Sequence, residues 1–368
     1  MNVSRIRRPL RTGPSCGRRF AAVATASRSA LLRRPFGHAS RDLGAPRCPG
    51  DAERPARHET SGAFGVLARQ APGPSGWAAA AVPGASWSLR DLACLVKPGI
   101  VVSNTLSAAV AWLLCGGAHR TAGTWWLAGL AALVAGASAW NMVVERDVDA
   151  RMRRTASRPV ACGRLSPAAG ALVAVLLGTG GLVVLAATAG WAAAAVGAVG
   201  ALLYGAVYTP LKRRGPSSLA VGAVAGAMPF VVGATAAGRP FGPVALAGAA
   251  WLLAWQFPHF LAIGTLRRRD YACAGLRVCP VVVSPAGVRR TTRRAAVAVG
   301  VLSVVLPRAA ALPWAWSVVV AVPGVVFAVA TWWRCTRRPA QWAGPVFRDS
   351  LLALLGTQAL AAVAAAMV

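Results

Sequence analysis

Acidic residues are scarce in this chain: 10 Asp and Glu stand against 40 Lys and Arg in 368 residues, and only Lys97 and Lys212 are lysines. A formal charge of +30 would suggest nucleic acid in a water-soluble protein. Here the basic residues fall mostly between apolar runs and no nucleic-acid-binding signature accompanies them, so no nucleic acid is expected as a partner. The Arg bias is also what GC-rich coding DNA produces. No C-x-x-C pair occurs among the eight scattered cysteines, so neither a zinc site nor a disulfide framework is indicated. Charged residues make up 14% of the chain against 56% apolar, which belongs to a polytopic membrane protein.

Residues 1–88 lack any apolar stretch long enough to cross a bilayer and are rich in Arg, Pro and Gly. They are expected to be disordered. Such a leader is either a transit peptide or upstream GC-rich DNA translated from a start placed too early. From residue 89 onward the chain reads as one membrane domain. Apolar runs recur near 100–118, 124–145, 168–188, 190–208, 217–237, 241–264, 295–311, 313–333 and 350–367. Each suits a helix crossing about 30 Å of hydrocarbon at about 1.5 Å per residue. Nine transmembrane helices in an all-α bundle are therefore predicted. With the N-terminus in the cytoplasm, inner loops hold 21 Lys and Arg against 3 outside, the asymmetry of the positive-inside rule. Gly222-x-x-x-Gly226 reads as a helix-packing motif.

Beyond Lys97 only five carboxylates remain, Glu145, Asp147, Asp149, Asp270 and Asp349. Three cluster at the inner end of the second run. Asn141, Glu145 and Asp149 stand at i, i+4 and i+8, so a helix carries an amide and two carboxylates along one stripe. These are hard oxygen donors, suited to Mg²⁺ that keeps waters and shares a phosphate-bearing substrate. Arg151, Arg153, Arg154 and Arg158 follow and can grip phosphate oxygens. The combination reads as a magnesium diphosphate site; the plainer reading pairs the carboxylates with neighbouring arginines. Asp147 falls on another face, four residues before Arg151.

The run from Asn141 through Glu145-Arg146-Asp147-x-Asp149-Ala150-Arg151-Met152, with Arg158-Pro159 and Gly163-Arg164-Leu165-Ser166-Pro167, resembles the first signature of the protohaem IX farnesyltransferases, a branch of the UbiA intramembrane prenyltransferases. Tyr208-Thr209-Pro210-Leu211-Lys212-Arg213-Arg214 resembles their loop after helix 4. Trp255-Gln256-Phe257-Pro258-His259-Phe260, with Asp270-Tyr271, resembles their helix 6 and its following loop. The resemblance covers about residues 88–368. It implies a helix bundle around a cavity open to the membrane. It also implies transfer of a farnesyl group from farnesyl diphosphate to the 2-vinyl group of haem b, with Mg²⁺, giving haem O and diphosphate. Asn141, Glu145 and Asp149 are then the catalytic and metal-binding candidates. Arg154, Arg158, Lys212, Arg213, Tyr208, His259 and Asp270 are the substrate-binding ones. Haem A synthase is implied as a downstream partner, and the bacterial inner membrane as the location, or the mitochondrial inner membrane in a eukaryote.

One region departs from the pattern. The branch usually keeps an acid before its Asp-Tyr, whereas Arg267-Arg268-Arg269 stands there here. That argues against a second metal site and leaves Asp270 either a lone ligand or a partner of these arginines. His259 follows Pro258 and reads either as a structural histidine or as a haem contact; Lys97-Pro98 reads as a substrate contact or as simple snorkelling. A quinone-type prenyltransferase lacks support because its aspartate-rich second motif is missing. A transporter is disfavoured because the acids lie at one face and not at the midplane.

Overall fold

The computed structural model describes residues 88–117 and 123–368. The leader up to Trp87 and the loop residues His119 and Arg120 lie outside the described residues. Helix α1, Leu89–Val96, opens on a capping box in which Ser88 and Asp91 satisfy each other's backbone N–H. It ends at Lys97, which adopts a left-handed backbone with φ 54° and ψ 70°. Such a conformation costs a lysine about 1 kcal/mol, so the surrounding contacts must hold it. Pro98 then starts α2, Pro98–Leu114, and the two helices are bent by 48° at this residue. The bend aims the Lys97 side chain at the bundle interior.

Helix α3 is Trp125–Val144 and α4 is Arg146–Arg151. The stripe expected on one continuous helix therefore crosses a break at Glu145, whose backbone sits at φ −93° and ψ 7°. Glu145 N–H still donates to Asn141 O (3.0 Å), and Asp149 N–H to Glu145 O (2.8 Å). The i to i−4 bonds that bridge the break keep Asn141, Glu145 and Asp149 on one side. Helices α5, Pro167–Ala189, and α6, Trp191–Leu202, follow, and α6 continues through a π-helical turn, Leu203–Tyr208, into α7, Thr209–Arg214. The motif matched to a loop after helix 4 is thus helical; Pro210 is tolerated because it sits in the first turn of α7. The remaining helices are α8, Ser218–Ala236; α9, Pro243–Leu266; α10, Arg268–Cys273; and α11, Cys279–Val282. The last three are α12, Pro285–Ala309; α13, Trp314–Arg337; and α14, Ala343–Met367.

Seven of these helices, counting α6 to α7 as one, are long and apolar enough to cross a membrane, or eight with the bent α1–α2 pair. The count of nine is not reached on those grounds. The expected segment left over, 295–311, falls in α12, whose first turns carry Arg289, Arg290, Arg293 and Arg294 and dilute its apolar stretch. The chain is a multi-pass membrane protein. In the bundle α3 packs on α5, α12 on α9 and α13, α8 on α2 and α9, and α14 on α2, α9 and α13.

Lipid offers little hydrophobic drive between helices, so close backbone approach does the work. A Cβ on Gly136 would lie 2.6 Å from the Gly178 N, and one on Gly181 2.5 Å from Leu133 N, so α3 and α5 meet through glycines. Polar groups inside the bundle must be satisfied by protein. Trp251 Nε1–H donates to Ser303 Oγ (2.8 Å), Gln256 Nε2–H to Ala223 O (2.9 Å) and Gln358 Nε2–H to Ser107 Oγ (2.6 Å).

Candidate active site

The ends of α3, α6 and α9 lead into the short helices α4, α7 and α10, which carry Asp149, Lys212 with Arg213, and Asp270. Val148 and Met152 pack on Ala274 and Leu276, tying the α4 and α10 segments together. Arg277 N–H donates to Lys212 O (3.0 Å), which ties in α7. Beneath them lies a cavity of about 460 Å³. That volume is within the range of about 300–1,000 Å³ common to small-molecule sites.

The cavity is polar at one end. Asn141, Glu145, Asp149, Arg154, Arg158 and Lys212 line it there, together with Lys97. Asp149 is fully buried, and Glu145 is 6% exposed. Each carboxylate has a basic partner from another segment. Glu145 is paired with Lys212 of α7. Asp149 takes both oxygens to Arg158 Nη1, at 2.9 and 2.7 Å. Asn141 Oδ1 accepts from Lys97 Nζ (2.5 Å), while its Nδ2–H donates to Thr209 Oγ1 (3.0 Å). Lys97 therefore turns inward and does not snorkel. The plainer sequence reading, carboxylates paired with neighbouring arginines, describes Asp149 with Arg158 but not Glu145, whose partner is a lysine on α7.

The rest of the cavity is mostly apolar, walled by Leu133 and Val134 of α3, Met228 and Val232 of α8, Leu252 and Ile263 of α9, and Leu354 of α14, with Ser103, Asn104, Ser138 and Gln256 among them. Aromatic rings mark the transition. The π-helical turn brings Tyr204 and Tyr208 into a stack with centroids 5.6 Å apart, both lining the cavity, and Lys212 Nζ lies 4.9 Å from the Tyr208 ring. Gly222 and Gly226, expected to serve helix packing, let α8 lie close against side chains of the π-helical turn and of α9 that also line the cavity. A Cβ on Gly222 would lie 2.7 Å from the Tyr208 ring, and one on Gly226 would collide with Gln256. His259 lines the α9 side, below Trp255.

Arg213 and Asp270 lie outside the lining. Arg213 Nη2–H donates to Asp147 Oδ1 (2.7 Å), and Arg151 holds the other Asp147 oxygen at 3.2 Å, as the i, i+4 spacing predicted. Partial burial of Asp147 raises its pKa, but the Arg213 hydrogen bond and the charges of Arg213 and Arg151 outweigh it and leave the carboxyl below its ordinary 3.8. Asp270 sits half-buried on α10, and no described residue forms an ion pair with it. Tyr204 and Tyr271, which are not among the substrate-binding candidates named above, also line the cavity. Tyr204 stands i−4 to Tyr208 and Tyr271 follows Asp270, so a signal was present for each.

A cavity with two buried carboxylates and a ring of cations at one end and a lipid-like interior at the other is suited to an amphiphile with an anionic head. The model of the UbiA prenyltransferase family matches residues 101–365, and the chain belongs to that family of intramembrane enzymes. Among its relatives is the protoheme IX farnesyltransferase of Anaeromyxobacter sp. (strain Fw109-5), 38% identical over 273 residues that cover 72% of this chain and 90% of the relative. The protoheme IX farnesyltransferase of Geobacter sulfurreducens is 45% identical over 188 residues, 50% of this chain and 67% of that one. The fold is similar to that of a digeranylgeranylglyceryl phosphate synthase, at a TM-score of 0.63 and 14% identity over 76% of this chain and 99% of the other. It is also similar to a UbiA homolog from Archaeoglobus fulgidus bound to DMAPP and Mg²⁺, at a TM-score of 0.56 and 16% identity over 74% and 99% of the two chains.

Proposed function

We propose that this chain transfers the farnesyl group of farnesyl diphosphate to the 2-vinyl group of protohaem IX, giving haem O and diphosphate, in a bacterial inner membrane with its N-terminus cytoplasmic. The observation that carries the reading is the joining of the Glu145, Asp149, Arg158 and Lys212 cluster to an apolar chamber within one cavity. Protein relatives that carry this activity in their names, at 38% and 45% identity, support the choice of substrates.

The donor set fits Mg²⁺. Two buried carboxylates and a nearby amide oxygen are hard ligands, and that number suits an ion that completes its shell with water and phosphate oxygens. Glu145 and Asp149 would hold it, with Asn141 adjoining. When bound, the ion neutralises the approach of diphosphate to the carboxylates and stabilises charge on the departing oxygens. Arg158 and Lys212, now partnered by Asp149 and Glu145, turn their charge to the diphosphate, and Arg154 and Arg213 supply more at the rim.

In the reaction the C1–O bond of the farnesyl chain breaks and its electron pair leaves on diphosphate. The vinyl π electrons form the new bond to C1, and water adds to the resulting cationic carbon and loses a proton. Tyr204 and Tyr208 offer π-faces to the positive carbon, and the apolar walls keep stray nucleophiles away. His259 contacts the porphyrin, and Asp270 assists at the diphosphate side. Haem O then passes to haem A synthase. Purified protein incubated with labelled farnesyl diphosphate, Mg²⁺ and either haem b or a quinone-type aromatic acid tests this. Label on the porphyrin is expected, and label on the aromatic acid alone would replace the proposed acceptor.

A further inference from the structure

His259 and Ser350 are 91 residues apart, on α9 and α14, and meet through His259 Nδ1 and Ser350 Oγ at 2.9 Å. The hydroxyl has a single proton, and Ser350 Oγ donates it to Phe347 O at 2.6 Å. The carbonyl can only accept, so the proton between His259 and Ser350 comes from the imidazole. Nδ1 carries hydrogen, and Nε2 is left with its lone pair. No described residue bonds Nε2, and His259 lines the cavity.

The ring has little freedom to turn. It stacks on Trp255 with centroids 4.7 Å apart and planes 21° apart, and Phe347 closes the other approach at 5.0 Å. Trp255 Nε1–H donates to Ser350 O (2.7 Å), so one fully buried residue on α14 fixes two side chains one turn apart on α9. Pro258, inside α9, removes the backbone bond that would otherwise stiffen the helix at this point. The aromatic stack and Ser350 supply the rigidity instead.

The structure assigns Ser350 as a positioning residue that locks His259 in its Nδ1–H tautomer and presents Nε2 as an axial ligand for the iron of the haem substrate. A second-sphere acceptor on the distal ring nitrogen is the usual way an imidazole ligand is oriented and made more basic. The assignment rests on haem being the acceptor, and it adds a residue that lies in none of the three motifs.

The test uses the full chain in detergent or nanodiscs, titrated with ferric protohaem and, separately, with metal-free protoporphyrin IX, and read by optical and electron paramagnetic resonance spectra. Wild type is expected to bind both and to show imidazole ligation of the iron. His259→Ala loses that signature, and added imidazole restores it. Ser350→Ala weakens iron ligation by about 10- to 100-fold, the usual cost of losing such an acceptor. Its affinity for the metal-free porphyrin is unchanged, and Ser350→Thr restores ligation. Ser350→Cys keeps the volume but accepts weakly, and it should fall between if the alanine variant does not accumulate. Porphyrin binding with an iron spectrum that is the same in wild type, His259→Ala and the Ser350 variants would overturn the assignment while leaving haem as acceptor. Failure of wild type to bind either porphyrin would overturn both.

Discussion

Lys212 and Glu145 form an ion pair between α7 and the break that separates α3 from α4, with side chains 15% and 9% exposed. Breaking a pair this buried by removing one partner leaves an uncompensated charge, which is costly. Replacing both groups by neutral ones of similar size need not destabilise. Lys212→Met and Glu145→Gln should each lower the melting temperature in detergent, and the double variant should recover most of it. Activity should stay lost in all three, by at least about 100-fold, because the same groups face the diphosphate. A thermal melt beside a turnover assay separates the two effects; recovered activity in the double variant would show the pair to be structural only.

Asp149 has both carboxylate oxygens on Arg158. Asp149→Asn should abolish most turnover while the protein stays inserted. A milder change is Arg158→Lys, which keeps the charge but loses the planar fork, and it should raise KM for farnesyl diphosphate by about tenfold. Chelation of divalent ions should stop turnover reversibly without altering the circular dichroism spectrum. Turnover that persists in excess chelator would remove Mg²⁺ from the account.

Much of the helical bundle could be read from the sequence because about 20 apolar residues in a row have few other uses. The acid cluster was legible too, since carboxylates are rare in this chain and three lie within five residues. Other features were not. The inward turn of Lys97 depends on a left-handed backbone that Lys-Pro does not announce. The spacing of Tyr204 and Tyr208 puts them on one helix face, but nothing in Leu-Tyr-Gly-Ala-Val-Tyr announces the π-helical turn at Leu203–Tyr208. Ser350 is an ordinary serine until α14 is laid against α9. Local periodicity carries no information about pairings that close over 91 residues.

Lys97 holds Asn141 from a strained backbone. Lys97→Gly removes the strain and the ammonium together. It should leave stability unchanged or raise it by a few tenths of a kcal/mol, while KM for farnesyl diphosphate rises by about tenfold. Denaturation and substrate-dependence curves on the same preparation check this. Unchanged KM would make Lys97 an anchor for the bend alone.

Asp147 is 47% exposed beside Arg213 and Arg151, so solvent screens both pairs. Asp147→Asn should change stability by less than about 1 kcal/mol and leave turnover within about twofold. Its lowered pKa gives the pair a small stabilising effect above the ordinary 3.8, which fades as pH falls through the lower folded value. Melts from pH 6 to about pH 3 should therefore converge for wild type and Asp147→Asn at the acid end; divergence there would reverse the sign.

Extraction of haems from a bacterial host that lacks its own haem O-forming enzyme, followed by mass spectrometry, tests the central claim most directly. Expression of this chain should yield a haem whose mass corresponds to haem b plus one farnesyl group and one hydroxyl group. Glu145→Gln and Asp149→Asn, inserted to the same level, should yield haem b alone. Haem b unchanged in the presence of well-inserted wild-type chain, or haem O formed equally by the two variants, would contradict the account.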